Sequence, residues 1–328
     1  MLTRNFVFAL LFVSALSPFN LPAQDDPCAR RTIAAGVVDR QWNLVQGLSA
    51  ANFRGKVGRQ DLQVLSAVLD ESPRRIVVLL DASGSMTDPR GGGWKTEKTL
   101  SEYLIRFAPA KASITLLGFS RTILDAEGFD EDPPVILKNL SALVKVCEQP
   151  RKGLQRTALY DAIASARDLL KAPKLGDVIC ALTDAGDNVS QATPRRVEEE
   201  LLRTGVRLFG LVIGVDLRIR GRAPEEDSGQ FDSVVRATGG NELMLTIGGP
   251  SPTHPHLEVR TEAGSLGRAL HRLCEQMGEY YRLELALAET VEKPTKWKLE
   301  VIDASGKPMR GVEVHYPEEL MPCAKASP

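Results

Sequence analysis

The chain has 328 residues, 43% of them hydrophobic and 25% charged, with 41 Lys plus Arg against 42 Asp plus Glu. That length suits two domains, or one large domain with an appendage. The composition belongs to a globular chain with a real core and excludes disordered, collagenous and multi-span membrane chains, and a net charge of −1 offers no basic excess to attract nucleic acid or an anionic membrane.

Met1 to Arg4 carry one positive charge, Phe6 to Leu16 form an apolar run of about eleven residues, and Pro18, Pro22 and Ala23 precede Gln24 and Asp25. This is a secretory leader pattern, and residues 1–23 are expected to be removed as a signal peptide. The run is well short of the ~20 residues that span a bilayer as a helix, and no later run is long enough. The mature chain is therefore expected to be secreted or periplasmic, with no transmembrane span. Five cysteines, Cys28, Cys147, Cys180, Cys274 and Cys323, form no C-x-x-C pair, which speaks against a zinc or redox motif. Cys180 sits in the run Val178-Ile179-Cys180-Ala181-Leu182 and reads as a buried, inert thiol. An oxidising compartment allows Cys28 and Cys323, near opposite ends of the mature chain, to pair; the sequence leaves this open.

Residues 24–72 read as an N-terminal β segment, with short alternating runs such as Leu62, Val64 and Val68 between polar turns. Ile76-Val77-Val78-Leu79-Leu80 is a continuous apolar run, the mark of a strand covered on both faces. Leu100, Tyr103, Leu104 and Phe107 then recur at i, i+3, i+4, i+7, one face of a helix. Residues 114–119 read as a strand, residues 159–170 as a helix and residues 178–183 as a strand. Thr193-Pro194 opens a helix that Gly205 closes. Residues 208–215 and 243–247 read as strands, 231–237 and 266–277 as helices. Such alternation implies an α/β, doubly wound, mostly parallel sheet over residues 73–278. Residues 279–328 read as a C-terminal β segment, with strands at 281–287, 297–302 and 312–316. The two flanks are expected to share a small β-sandwich-like appendage. Residues 248–255, rich in Gly, Pro and Ser, read as a surface loop.

Directly after the first buried strand stands Asp81-Ala82-Ser83-Gly84-Ser85, the pattern D-x-S-x-S. A carboxylate at the carboxyl end of a parallel strand faces the crevice where open α/β sheets bind ligands. Alternate positions add two hydroxyls, all hard oxygen donors. A second buried strand ends in Thr183-Asp184, placing Asp184 at the same edge, and Thr157 stands at the start of a helix.

Asp81, Ser83, Ser85, Thr157 and Asp184 resemble, in type and order, the metal-ion-dependent adhesion site (MIDAS) of von Willebrand factor A domains, and the resemblance covers roughly residues 74–277. The layout of leader, short β segment with Gly47-Leu48-Ser49-Ala50-Ala51-Asn52-Phe53, A domain and β tail is similar to that of secreted VWFA-related proteins of acidobacteria. One departure is Ala185, where the family usually has Gly. The resemblance implies a Mg²⁺ or Mn²⁺ ion bound directly by Ser83 and Ser85, and directly or through water by Asp81, Thr157 and Asp184. Mg²⁺ takes about six oxygens and dehydrates reluctantly, so a sixth position favours an Asp or Glu carboxylate from a partner.

The expected function is thus a secreted, metal-dependent protein-binding module, not an enzyme, with no nucleic-acid partner. The alternatives are a structural docking component of an envelope assembly and a metal-dependent hydrolase. A hydrolase needs a positioned base, and His254, His256, His271 and His315 all lie outside the metal-binding segments. Asp161 and Asp187 lie near the metal-binding segments and read equally well as solvated helix and loop carboxylates, while Arg218 to Arg222 and Glu225-Glu226-Asp227 read as a solvated charged loop or as partner contacts. Gly91-Gly92-Gly93-Trp94 reads either as a mobile rim with an aromatic contact or as a linker with Trp94 packed on the domain.

Overall fold

A computed structural model describes residues 28–88, 93–149, 156–215, 225–248, 256–259 and 266–323. In chain order the elements are β1 (Arg30–Asp39), β2 (Phe53–Val57), β3 (Gln60–Asp70), β4 (Arg75–Asp81), α1 (Gly84–Thr87), α2 (Gly93–Arg106), β5 (Ser113–Phe119), β6 (Ile123–Ala126) and α3 (Pro133–Cys147). There follow α4 (Leu159–Leu169), β7 (Val178–Thr183), α5 (Pro194–Thr204), β8 (Arg207–Val215), α6 (Glu225–Ala237), β9 (Glu242–Gly248), β10 (His256–Val259) and α7 (Leu266–Gly278). The chain closes with β11 (Tyr280–Ala286), β12 (Thr295–Val301), β13 (Val312–His315) and β14 (Glu319–Leu320). The expected leader, the loop residues 249–255 with His254, and the stretch 218–222 lie outside the described residues.

The central sheet runs β10-β9-β8-β7-β4-β5-β6. The five strands from β9 to β5 are parallel, and both edge strands are antiparallel to their neighbours. The sheet is therefore mixed, not uniformly parallel. Its strands are apolar on both faces because helices cover both. Ile76, Val78 and Leu80 pack with α2, α3 and α7, while Val77 and Leu79 face α4, α5 and α6. Successive residues of a strand point to opposite faces, so one run of β4 feeds two cores.

The flanking strands form one antiparallel sheet in the order β13-β1-β11-β3-β2-β12-β14. Strands from the two ends of the chain interleave, with Ile33 opposite Leu283 and Trp297 opposite Val57. Among the described residues these strands make one sheet and not the two of the expected sandwich. A single sheet instead encloses a core of its own, built from Ile33, Val37, Phe53, Tyr281, Leu283, Trp297 and Leu299 among others. Cys28, just before β1, is bonded to Cys323, just after β14. Cys147, Cys180 and Cys274 are buried and form no disulfide among the described residues. Among the described residues no helix is long and apolar enough to cross a membrane.

Candidate metal centre

β4 ends in Asp81, which is fully buried at the carboxyl edge of the central sheet. One oxygen of its carboxylate, Oδ1, accepts the Ser83 amide at 2.9 Å, and Oδ2 accepts the Thr183 hydroxyl at 2.6 Å. The backbone turns at Ser83 into α1, which brings the Ser83 and Ser85 hydroxyl oxygens to 3.1 Å of each other. Ser83 is buried and Ser85 half-buried. Strand β7, beside β4, delivers Thr183 and then Asp184, whose Oδ1 accepts the Gly186 amide at 3.1 Å. Thr157 precedes α4 and is stitched to the loop after β7. Its amide donates to Asn188 Oδ1 at 3.1 Å, and its carbonyl accepts the Asn188 amide at 3.0 Å.

The structure thus links Asp81, Ser83 and Ser85 directly, sets the charge of Asp184 against Asp81, and ties Thr157 to the loop that carries Asp184. Burial first, and the negative charge of Asp184 second, push the Asp81 carboxyl up to about 7. No cation is among the groups acting most strongly on it.

Ala185, at the position where a glycine was expected, adopts φ +63° and is buried. That is the left-handed region, which costs an alanine roughly 1–2 kcal/mol. The strain sits beside Asp184, where the Ala185 amide donates to the Thr183 hydroxyl at 3.0 Å, and such strain is held where the surroundings over-determine the backbone.

Three residues of the site escaped the sequence reading. Glu97 on α2 is fully buried, and its Oε1 accepts the Asp81 amide at 2.5 Å. Burial, then the charge of Asp81, hold its carboxyl well above the usual range, and its Oε2 has no hydrogen-bond partner among the described residues. The signal was available, since Glu97 lies three residues before Leu100 and seven before Leu104, on the apolar stripe of α2. Thr183, the polar end of an apolar strand, orients Asp81. Ser120 follows β5, its carbonyl accepts the Ala158 amide at 2.8 Å, and its buried hydroxyl has no partner among the described residues.

Of the two readings open for Asp187 and Asp161, the structure favours the one near the site, with both carboxylates accepting backbone amides. Asp187 Oδ1 accepts the Leu159 amide at 2.8 Å and so caps α4. Asp161 accepts the amides of Gln191 and Ala192, at 3.0 and 2.8 Å. Trp94 is packed rather than presented at a rim, with its indole donating to Glu148 Oε1 at 3.0 Å. His271 is exposed beside Glu275, and His315 lies in the antiparallel sheet.

The donor set fits a hard dication. It consists of carboxylate and hydroxyl oxygens, the ligand type that suits Mg²⁺ and Mn²⁺ rather than thiolate-seeking metals. Among the described residues no three His, Cys, Asp or Glu side chains converge on one point, so an ion here depends on the hydroxyls of Ser83, Ser85 and Thr157 as much as on the carboxylates.

No protein-family profile and no curated protein matches the sequence. Von Willebrand factor A domains are among the solved structures to which the chain is similar. The von Willebrand factor type A protein of Catenulispora acidiphila is 14% identical, with 90% of this chain and 75% of that one covered and a TM-score of 0.36. The conserved hypothetical protein BatB of Bacteroides thetaiotaomicron is 15% identical, with 62% and 98% covered and a TM-score of 0.43. Proximal thread matrix protein 1 of the mussel byssus, whose MIDAS motif is occupied by zinc in one structure, is 13% identical, with a TM-score of 0.43. That alignment covers 66% of this chain and 49% of the mussel protein, so the chain spans about half its length. Likeness at this level leaves the chemistry of the site to be argued from the chain's own residues.

Proposed function

We propose that this protein is an interaction module of von Willebrand factor A type, which captures an acidic group of a partner protein through a Mg²⁺ or Mn²⁺ ion. The observation that carries this is the buried Asp81, which accepts the amide of Ser83 in a Ser83–Ser85 hydroxyl pair and faces the charge of Asp184. Ser83, Ser85, Thr157 and Asp184 would hold the ion, with Asp81 as the buried carboxylate behind them. A dication so bound supplies a positive centre that a carboxylate oxygen from outside completes. The chain's own residues do the rest: Thr183 and the Ser83 amide orient Asp81, and Asn188 holds Thr157 against the loop of Asp184.

The Cys28–Cys323 bond supports residence in an oxidising compartment, where such bonds persist, and accords with a secreted or periplasmic protein. The same reading makes the protein a binder and not an enzyme. Hydrolase screening with Mg²⁺ or Mn²⁺, wild type against Asp81→Ala, tests that half, and metal-dependent turnover lost in the variant would refute it.

Isothermal titration tests the site itself. Mn²⁺ or Mg²⁺ should bind the wild type and bind at least tenfold more weakly to Ser83→Ala and to Asp184→Ala. Equal affinity in all three proteins would reject the ligand set.

A further inference from the structure

A groove of about 470 Å³ opens beside the candidate site. Its lining includes Arg121, Ile123, Asp161, Ser165, Val189 and Gln191. It is contiguous with the metal-binding segments: Arg121 follows Ser120, whose carbonyl accepts the Ala158 amide next to Thr157, and Val189 follows Asn188.

The charges in the groove are unevenly committed. Asp161 is held by the amides of Gln191 and Ala192. The first amides of α4 are taken too, Leu159 by Asp187 and Tyr160 by Ser190, so the helix end has no free donors there for an anion. Arg121 differs. It is exposed and makes no ion pair or hydrogen bond among the described residues. Next to it Ile123 is 38% exposed and begins β6, the edge strand, which pairs with β5 on one side and with no described strand on the other. An uncommitted guanidinium, an exposed aliphatic side chain and an open strand edge together suit an extended polypeptide that bears a negative charge.

We propose that this groove receives the residues flanking the metal-bound carboxylate of an acidic partner segment, and that Arg121 pairs with a second carboxylate of that segment. This rests on the metal-capture reading above and deepens it: the site would select segments with two acidic residues close in sequence over segments with one. Arg121 is a specificity-determining residue and holds no metal.

Fluorescence anisotropy with the purified full chain tests this. The probes are labelled Gly/Ser peptides carrying one aspartate, or two acidic residues at successively wider spacing, each with Mg²⁺ and with EDTA. In the wild type, one spacing should bind about three- to fivefold more tightly than the single-acid peptide, the worth of one exposed charge pair. In Arg121→Ala that ratio should collapse to about one, and Arg121→Lys should restore part of it. A ratio unaltered in Arg121→Ala, or no ratio in the wild type while single-acid binding still needs Mg²⁺, overturns the groove proposal and leaves metal capture standing. Binding that EDTA never affects overturns both. Polygalacturonate that competes better against wild type than against Arg121→Ala, while the two-acid peptides show no such difference, would overturn the peptide as occupant and assign the groove to a carboxylated polysaccharide.

Discussion

Glu242 opens β9 with one carboxylate oxygen buried and without a hydrogen-bond partner among the described residues. Arg236, which acts weakly on it, is engaged by Asp232 on its own helix. Burial first, and Asp232 second, push the Glu242 carboxyl from the ordinary 4.5 up to about 7. The folded chain therefore takes up a proton that the unfolded chain releases near 4.5. By linkage the stability contributed by this group is complete below that pH and is lost as pH rises through 7. Glu242→Gln should raise stability only slightly at pH 5, where the unfolded chain has begun to ionise, and by about 1–2 kcal/mol at pH 8, after allowance for partial solvent screening. Urea unfolding at the two pH values checks this, and an equal gain at both would show that the charge is not the cause. Asp81 is the contrasting residue. It too is buried and raised, but it has two hydroxyl neighbours and Asp184 around it, so a dication gives it a use. Excess Mn²⁺ should raise the melting temperature of the wild type, because binding to the folded state alone stabilises it. In Asp81→Asn most of that rise should vanish.

The elements with local signals were the legible ones. Thr193 caps α5 by accepting the Arg196 amide, Pro194 fills its first turn, and Gly205 ends it at φ +70°. All three were written in the sequence because caps are local. Thr193→Ala should cost about 1 kcal/mol. Gly205→Ala should cost more, since a Cβ there would meet Leu175 Cδ1 at 2.9 Å as well as adopting a left-handed backbone; if thermal denaturation ranks the two in the opposite order, the cap and not the turn controls the end of α5. The buried strands β4, β7 and β8 were equally plain, as continuous apolar runs. By contrast β6 and β10 are four-residue edge strands, too short to carry a period. Helix α3 begins with Pro133-Pro134, a pair that reads as a break although proline is at home in a first turn. The flanks illustrate a different limit. Alternation showed that their strands have one buried face, but not whether that face meets a second sheet or the same sheet curled round. That depends on pairings such as Ile33 with Leu283, 250 residues apart. At the site, Asp81, Ser83 and Ser85 were legible because they are adjacent in sequence, while Glu97 was hidden in the apolar stripe of a helix and reaches Asp81 only after α2 packs.

At the scale of the whole molecule, both sheets meet where the chain passes between them. β3 ends at Asp70 and β4 begins at Arg75, and α7 ends at Gly278 and β11 begins at Tyr280, with Asp70 paired to Tyr280. Arg74 binds Asp70 at 2.8 Å and donates to the Gly278 carbonyl at 3.0 Å. Arg207, fully buried, donates to the carbonyls of Gln276 and Met277, both at 2.8 Å. Two guanidinium groups thus cap the carboxyl end of α7, where the helix dipole favours cations, and both stack on the Tyr280 ring, at 4.4 and 4.8 Å. Burial lowers the Arg207 pKa to about 9, which still leaves the group charged at neutral pH. The second tie is covalent and lies in the antiparallel sheet alone. Because Cys28 and Cys323 are 295 residues apart, their bond removes a large loop entropy from the unfolded chain, and a disulfide of this kind typically contributes about 2–4 kcal/mol. The non-covalent clamp at α7 does not depend on it. Reduction, or Cys28→Ser with Cys323→Ser, should therefore destabilise the antiparallel sheet by that amount while Mn²⁺ binding at the far edge of the central sheet persists. Unfolding followed by tryptophan fluorescence reports Trp297 in the antiparallel core, Trp94 on α2 and Trp42 packed against the same central core as Trp94; the Trp297 part, isolated in a Trp42→Phe, Trp94→Phe background, should become more separated from the metal-dependent transition after reduction. If reduction instead abolishes Mn²⁺ binding, the two sheets are a single cooperative unit and the clamp at α7 does not hold the central sheet by itself.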